Sequence, residues 1–315
     1  MFKPLVSIVI PVYCGENYLA EAIDSALAQT YPNTEILVIN DGSDDSGATE
    51  RIALSYGDKI RYFHKINGGV SSALNMGIRE MHGDFFSWLS HDDLYTPNKI
   101  ANQIQILSER PHENREIVLM CSEELINSQG KKIFRPFTKC LHGEFTGIEI
   151  FKYCQRSFRL SLNGCGMLIP KSILDKVGFF DETLRYIQDY EYWYRIMIGG
   201  FSFICTIDKN VLGRVHEEQI TARFPDMYYT ENQIVANRLF NFFLDGREYR
   251  EFWESYLCCC CKDLNPVAHE IIRRLKTERK YTLSLRLQTS FYFAMGLVRK
   301  LLKKGYHSIC LKNAR

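Results

Sequence analysis

The chain reads as an α/β protein: a mostly parallel sheet with flanking helices, followed by a C-terminal helical appendage. Three observations predict this. Short β-branched or aromatic apolar runs alternate with helically periodic segments from Leu5 to Leu89. That is the rhythm of βαβ units with right-handed crossovers. Phe85–Leu89 is near-continuously apolar, as expected for a strand covered on both faces. From Asn232 onward the pattern is helical throughout.

Leu5–Ile10 is a central parallel strand ending at Pro11. Tyr18–Thr30 carries apolar residues at helical spacing and stops at Tyr31-Pro32. Glu35–Asn40 is the second strand, closed by the turn signal Asp41-Gly42-Ser43. Thr49–Tyr56 is helical and Ile60–His64 a short strand. Asn67-Gly68-Gly69 precedes a helix over Val70–Met81, and Phe85–Leu89 is the next strand. A helix follows Pro97 to about Arg110, with Thr96-Pro97 as its start. Ile117–Cys121 is a strand, Asn127–Gly130 a hairpin-like turn and Gly147–Gln155 a helix. Asn163–Gly166 opens a strand and a short helix. Gln188–Ile198 is helical, Phe201–Ile207 a strand, and Arg214–Thr221 a loop.

Composition is that of a globular protein, with 315 residues, 46% hydrophobic and 24% charged. The net charge of +2 is unevenly spread. Residues 262–315 hold 13 Lys and Arg against 3 Asp and Glu, a net +10 that leaves −8 for the rest. A basic tail on an acidic body suggests an anionic surface as partner. Eleven cysteines, an odd number without a framework, argue for reduced thiols and a reducing compartment. Met1–Cys14 superficially resembles a signal peptide, but its apolar run is short and contains Pro11, so it reads as a buried strand. No run of 18 apolar residues occurs, and no transmembrane helix is expected. The expected location is cytoplasmic, with peripheral placement on the inner face of the membrane. No nucleic-acid partner is expected.

The chemistry centres on GDFFSWLSHDDLYTP, Gly83–Pro97, where a strand stops against Asp92 and Asp93. Carboxylates at the carboxyl end of such a strand lie where open α/β sheets bind ligands. Adjacent acids repel unless a cation or donors offset them, and Mg²⁺ or Mn²⁺ holding a diphosphate suits them. The alternative is a strand-to-helix turn with Asp as cap. The ends PVYCGENY and NDGSDDSG share the same edge. Asp41 there either closes a turn or accepts from a base imide or ribose hydroxyl. No GxGxxG follows the first strand and no GxxxxGK[ST] occurs, so this is not a dinucleotide or P-loop site.

Together VSIVIPVYCGENYLAEAIDSALAQTYPNTEILVINDGSDDSG, NGGVSSALNMGI and GDFFSWLSHDDLYTP resemble the nucleotide-sugar half of glycosyltransferase family 2. The resemblance spans roughly residues 4–221 and implies a GT-A fold, inverting sugar transfer and dependence on Mg²⁺ or Mn²⁺. It implies a donor that is a UDP- or dTDP-linked sugar, and a hydroxyl acceptor on a glycan or glycolipid, as in cell-surface polysaccharide synthesis. It assigns Pro11, Val12, Tyr13 and Glu16 to the segment that packs on base and ribose, and Asp41 to the base edge. Asp92 matches the last Asp of the family's D-x-D, which holds the metal, and Asp93 supports it. Ser90 replaces the first Asp and His91 sits between them.

NGCGMLIP resembles the loop beside donor sugar and acceptor, formed by Asn163, Gly164, Cys165 and Gly166. Read alone, it is a tight turn. Gln188-Asp189-Tyr190-Glu191 resembles the E-D-x-x-x-W segment, which places the general base on Asp189, puts Gln188 where Glu is frequent, and leaves Glu191 to orient the acceptor or sit on the surface. Read alone, Asp189 is a helix cap. LGRVHEEQIT resembles a late R-x-H loop, in which Arg214 meets phosphate oxygens and His216 completes the metal shell; a structural His is the alternative.

The expected domains are residues 1–224, with a nucleotide half (1–97) and an acceptor half (98–224), and a helical basic region, 225–315. Cys258–Cys261 contains C-x-x-C without a second pair at zinc spacing, so these cysteines fill packing gaps. Phe291–Lys304 mixes aromatic, aliphatic and basic residues, as an interfacial amphipathic helix or a docked helix with a solvated basic face would. Two other classes fit less of the pattern: a non-catalytic nucleotide-sugar-binding or scaffold subunit, and a sugar nucleotidyltransferase. The latter requires a Gly-rich, Arg- and Lys-bearing loop after the first strand, which PVYCGENY lacks.

Overall fold

The structure is a computed structural model. It describes residues 2–110, 116–133, 141–156, 162–217 and 219, parts of 227–261, and residues 267–277 and 281–297. Two compact units divide the chain. One comprises Met1–Ile150 and Arg159–Tyr228, the other Phe151–Phe158 and Tyr229–Arg315.

The first unit begins with β1 (Val6–Val12), α1 (Leu19–Leu27), β2 (Thr34–Asn40), α2 (Ala48–Leu54), β3 (Arg61–His64), α3 (Val70–Glu80) and β4 (Phe85–Trp88). These strands pair in parallel in the order β3-β2-β1-β4. Every residue of β1 and β4 is buried, as their apolar composition demands. α1 buries Leu19, Ala22, Ile23 and Ala26, one stripe at helical spacing. Pro11 lies inside β1 rather than ending it, opposite Ile39 of β2. On the other side β4 pairs only as far as Val9, so the missing proline N–H costs no ladder bond there.

Beyond β4 the sheet becomes mixed. β5 (Leu94–Tyr95), α4 (Lys99–Ser108), β6 (Ile117–Asn127), β7 (Gly143–Thr146), α5 (Gly147–Arg156), β8 (Met167–Pro170), α6 (Lys171–Val177), α7 (Gln188–Ile198) and β9 (Ser202–Val215) follow. β8 runs antiparallel between β4 and β6, β6 and β9 are parallel, and β5 and β7 flank β9 antiparallel. The sheet is thus mostly parallel, as expected, with its antiparallel pairs confined to β5, β7 and β8. β9 extends through Arg214, where a loop was expected, because β6 runs on to Asn127 and pairs with it residue by residue. The polar stretch Asp208-Lys209-Asn210 hides this continuation in the sequence, and cross-strand pairing overrides it.

In the second unit, helices include Val267–Thr277 and residues 283–297. Cys258, Cys260 and Cys261 are buried. Cys14, Cys121, Cys165 and Cys205 are free thiols. Among the described residues no helix is long and apolar enough to cross a membrane. Of the stretch Phe291–Lys304, residues 298–304 lie outside the described ones, as do 218 and 220–226 after the R-x-H segment.

Candidate active site

The strand β4 delivers its terminal acids into a turn closed by the Asp93 N–H donating to the Ser90 carbonyl (3.1 Å). Asp93 is buried. Its Oδ1 accepts from the Arg214 backbone N–H (2.8 Å) and its Oδ2 from the Cys165 thiol (3.3 Å). Burial, reinforced by the neighbouring Asp92 charge, pushes the Asp93 carboxyl up to about 8. Asp92 is held the other way. Burial raises it, but the hydrogen bond from His216 and the nearby His91 hold it below the ordinary carboxylate range. The two acids are thus pushed in opposite directions, Asp93 toward its protonated form and Asp92 toward its ionised form.

Asp92 Oδ2 meets His216 Nε2 at 3.0 Å and the Gln219 amide at 3.4 Å. His216 also packs on Tyr18, ring centroids 5.1 Å apart, and its buried Nδ1 has no partner among the described residues. Asp92 and His216 thus form a two-donor corner with one orphaned nitrogen. No cluster of three or more His, Cys, Asp or Glu able to hold a metal occurs among the described residues. The single carboxylate of Asp92 still fits Mg²⁺-type ions, which take one or two carboxylates and complete their shell with substrate phosphates and water.

Arg214, expected to meet phosphate oxygens, has a side chain only 1% exposed that is held mainly by protein. It donates to the Asp92 carbonyl (2.8 Å), the Ser128 carbonyl (3.1 Å) and Glu21 Oε2 (2.7 Å), and lies 4.4 Å from the centre of the Tyr18 ring. It is a strut behind the acid turn, with three of its five N–H donors spent on protein oxygens.

The NGCG loop sits against this turn. Asn163 accepts from the Cys165 N–H (2.8 Å) and donates to Glu123, so its amide braces the loop. The Cys165 thiol turns inward, with Ser90 N and Oγ at 3.3 and 3.4 Å. Ser90 therefore spends its hydroxyl on the loop. Gly164 allows a close approach. A Cβ there would stand 2.6 Å from the Trp88 ring and 3.2 Å from the Trp193 ring. One glycine thus separates β4 from α7.

Beneath the loop, Lys99 is fully buried without an ion pair among the described residues. Its Nζ donates to Ser87 Oγ (2.8 Å) and the Met167 carbonyl (3.3 Å) and lies 4.2 Å from the centre of the Tyr95 ring. One turn later, Gln103 donates to the Gly166 carbonyl (2.9 Å). Burial lowers the Lys99 amine from 10.5 to about 8, while the Cys121 and Cys165 thiols nearby act in the opposite sense. Between those values the unfolded chain binds more protons than the folded one, so stability rises with pH there. Relative to Lys99→Met, the wild type should gain up to about 3 kcal/mol between pH 8 and 10.5. Denaturant unfolding of both proteins across that range measures it, and a constant difference refutes the buried amine.

Asp189 lies in the first turn of α7. Its Oδ1 accepts from the Tyr190 N–H (2.8 Å), and no charged partner meets it among the described residues. Burial pushes its carboxyl up to about 6. Gln188 beside it is buried, with Oε1 unpartnered among the described residues. Glu191, expected to orient an acceptor or sit on the surface, is clamped by Arg195 Nε (2.8 Å) and Nη2 (2.9 Å).

A second cluster occupies the ends of β1 and β2. Asp41 is buried and accepts from Lys65 Nζ (2.6 Å) and the N–H groups of Gly68 (2.9 Å) and Gly69 (2.6 Å). Its carboxylate therefore anchors the Asn67-Gly68-Gly69 loop. Pro11 and Val12 are buried within the strand, while Tyr13 (48% exposed) and Glu16 are open. The His91 ring lies against Gly15, where a Cβ would stand 3.0 Å from its Cδ2.

Direct contacts join Ser90, Asp92, Asp93, Cys165, Arg214 and His216, and Gly164 ties them to α7. Sequence reasoning missed Lys65, Lys99 and Glu123. Lys65 had a signal, a cation two residues before the Asn67-Gly68-Gly69 turn. Lys99, in a first helical turn, reads as a solvated lysine, and nothing local distinguishes it.

The comparisons place this architecture. A model of glycosyl transferase family 2 matches residues 7–136. A Rickettsia typhi protein described as an uncharacterized glycosyltransferase is 48% identical over 260 residues, 81% of this chain and 72% of that protein. A Rickettsia bellii protein of the same description is 50% identical over 223 residues, 69% of this chain, which spans only 31% of it. The chain belongs to glycosyl transferase family 2. The crystal structure of S. aureus TarS 1-349 in complex with UDP-GlcNAc superposes with TM-score 0.59 at 17% identity, over 96% of this chain and 92% of that one. The fold is therefore the GT-A fold.

Proposed function

We propose that the chain transfers a sugar from a UDP- or dTDP-linked donor to a hydroxyl of a glycan or lipid-linked acceptor, with inversion, in cell-surface polysaccharide synthesis. One observation carries this reading: two carboxylates on separate elements are set oppositely. Asp92 is kept ionised at the end of β4, and Asp189 on α7 is raised to about 6, near the range of a working base. Family membership supports transfer chemistry, and the UDP and UDP-GlcNAc bound in the TarS crystals support a UDP-sugar donor.

Asp189 takes the proton of the acceptor hydroxyl as its oxygen attacks the anomeric carbon. The bond to the diphosphate breaks on the opposite face, so the centre inverts and no enzyme nucleophile is needed. Asp92 and His216 would hold Mg²⁺ or Mn²⁺, which supplies charge neutralisation at the departing diphosphate. Asp41 and the Tyr13–Glu16 segment would meet base and ribose. The protein works on the cytoplasmic side, at the inner face of the membrane that presents lipid-linked acceptors.

Nucleoside diphosphate should appear when acceptor is added to protein and donor. Binding of UDP-sugars without such release would leave the chain a binding subunit. Ser90→Ala should weaken donor binding only by about 0.5–1.5 kcal/mol, since a neutral hydrogen bond to Cys165 is lost. Calorimetric titration with UDP checks it.

A further inference from the structure

The second unit carries an apolar face that its own packing leaves outside. In the helix of residues 283–297, Leu285 and Thr289 are buried. Leu283, Leu287, Phe291 and Met295, spaced by four, are 72%, 66%, 61% and 36% exposed. A step of four residues advances only about 40° around a helix, so these side chains form one band opposite the buried side. Exposed Arg286 borders it. Scattered surface leucines are ordinary, but an ordered band of this kind marks a contact surface.

We propose that this band is the face by which the protein lies on an anionic lipid surface, with the apolar side chains in the headgroup–acyl boundary. Charge selects that occupant. Residues 262–315 carry 13 Lys and Arg against 3 Asp and Glu, and the Val267–Thr277 helix carries Arg274 and Lys276 in its last turn beside Arg273, which pairs with Glu270 at 2.8 Å. An apolar band in a cationic setting is attracted to anionic headgroups and accepts burial of its side chains. A second copy would bring the same positive charge to the contact. A single row of side chains also offers less than the ~800 Å² per partner of a standard protein interface. The inference rests on the proposed function only for its purpose, delivery of a lipid-linked acceptor; the contact itself does not depend on catalysis.

Flotation of the full chain with vesicles of phosphatidylcholine, alone or with phosphatidylglycerol, tests it. The wild type should float with the anionic vesicles, lose most of that binding without phosphatidylglycerol or at raised salt, and lose about tenfold in Leu287→Asp/Phe291→Asp. Leu287→Gln/Phe291→Gln gives the same reading should the acidic pair unfold the unit. UDP titration should be unchanged in either variant. Equal flotation of variant and wild type, or equal binding to both vesicle types, overturns the proposal. So does a wild-type dimer that the variants dissociate while no vesicle binding is seen, which would make the band a self-association surface. If flotation holds but no donor and acceptor pair yields nucleoside diphosphate, the functional reading fails and the membrane contact stands.

Discussion

Asp189→Asn is expected to lower turnover about 10²- to 10⁴-fold while leaving donor affinity nearly unchanged. The substitution keeps size and removes basicity. It retains an oxygen for the Tyr190 N–H, so the helix start survives. A sugar hydroxyl must lose its proton as the new bond forms, and the group that takes it must stand away from the diphosphate. Asp92 and Asp93 are on the wrong element. Asp189 is buried without a charged partner among the described residues, which leaves its proton affinity raised to about 6. The sign follows. The base form exists above that value, so kcat/KM should fall as pH drops through about 6, and the Asn variant should lack that limb. Glu191 is the competitor by sequence, but about 200° away around the helix and bound at both oxygens by Arg195. Wild-type turnover in Asp189→Asn together with a dead Glu191→Gln would reverse the assignment.

Asp92→Ala should remove the divalent-dependent part of UDP binding altogether, with the fold retained. The local structure hangs on the Asp92 carbonyl, which accepts from Arg214 and survives the change. What is lost is the carboxylate held below the ordinary range there, and with it the partner of His216. Titration of UDP with and without Mn²⁺, in wild type and variant, measures the effect, and chelator should make the wild type behave as the variant. If Asp92→Ala keeps Mn²⁺-dependent binding and Ser90→Ala loses it, the metal belongs elsewhere.

The first half of the fold was legible because β1, β4 and most of β2 are buried and α1 carries one apolar stripe. Local pattern and tertiary environment agree there, from Val6 to Trp88. Past β4 they part. β5 is two residues long, β7 lies in a polar stretch, and β9 continues through Asp208-Lys209-Asn210 because β6 offers an edge. None of these is encoded by periodicity. Residue identity pointed to Asp92, Cys165, Asp189 and His216 as site candidates, but not to what each side chain is spent on. Arg214 looked like an anion binder because its charge is visible in sequence, whereas its burial beside Glu21 is visible only in three dimensions. The Asp41 carboxylate turns out to anchor a glycine turn through Lys65 and two N–H groups, partners found 24 to 28 residues further along the chain.

Gly164 fixes more than a turn. With Trp88 on one side and Trp193 on the other, the segment that ends in the ionised acid and the helix that begins with the raised one share a single gauge block. Neither can slide without displacing an indole. On the proposed function, the spacing between the leaving-group side and the proton-accepting side would be set by aromatic thickness rather than by loop tension, and acceptor range would change through the walls of that gap rather than its width.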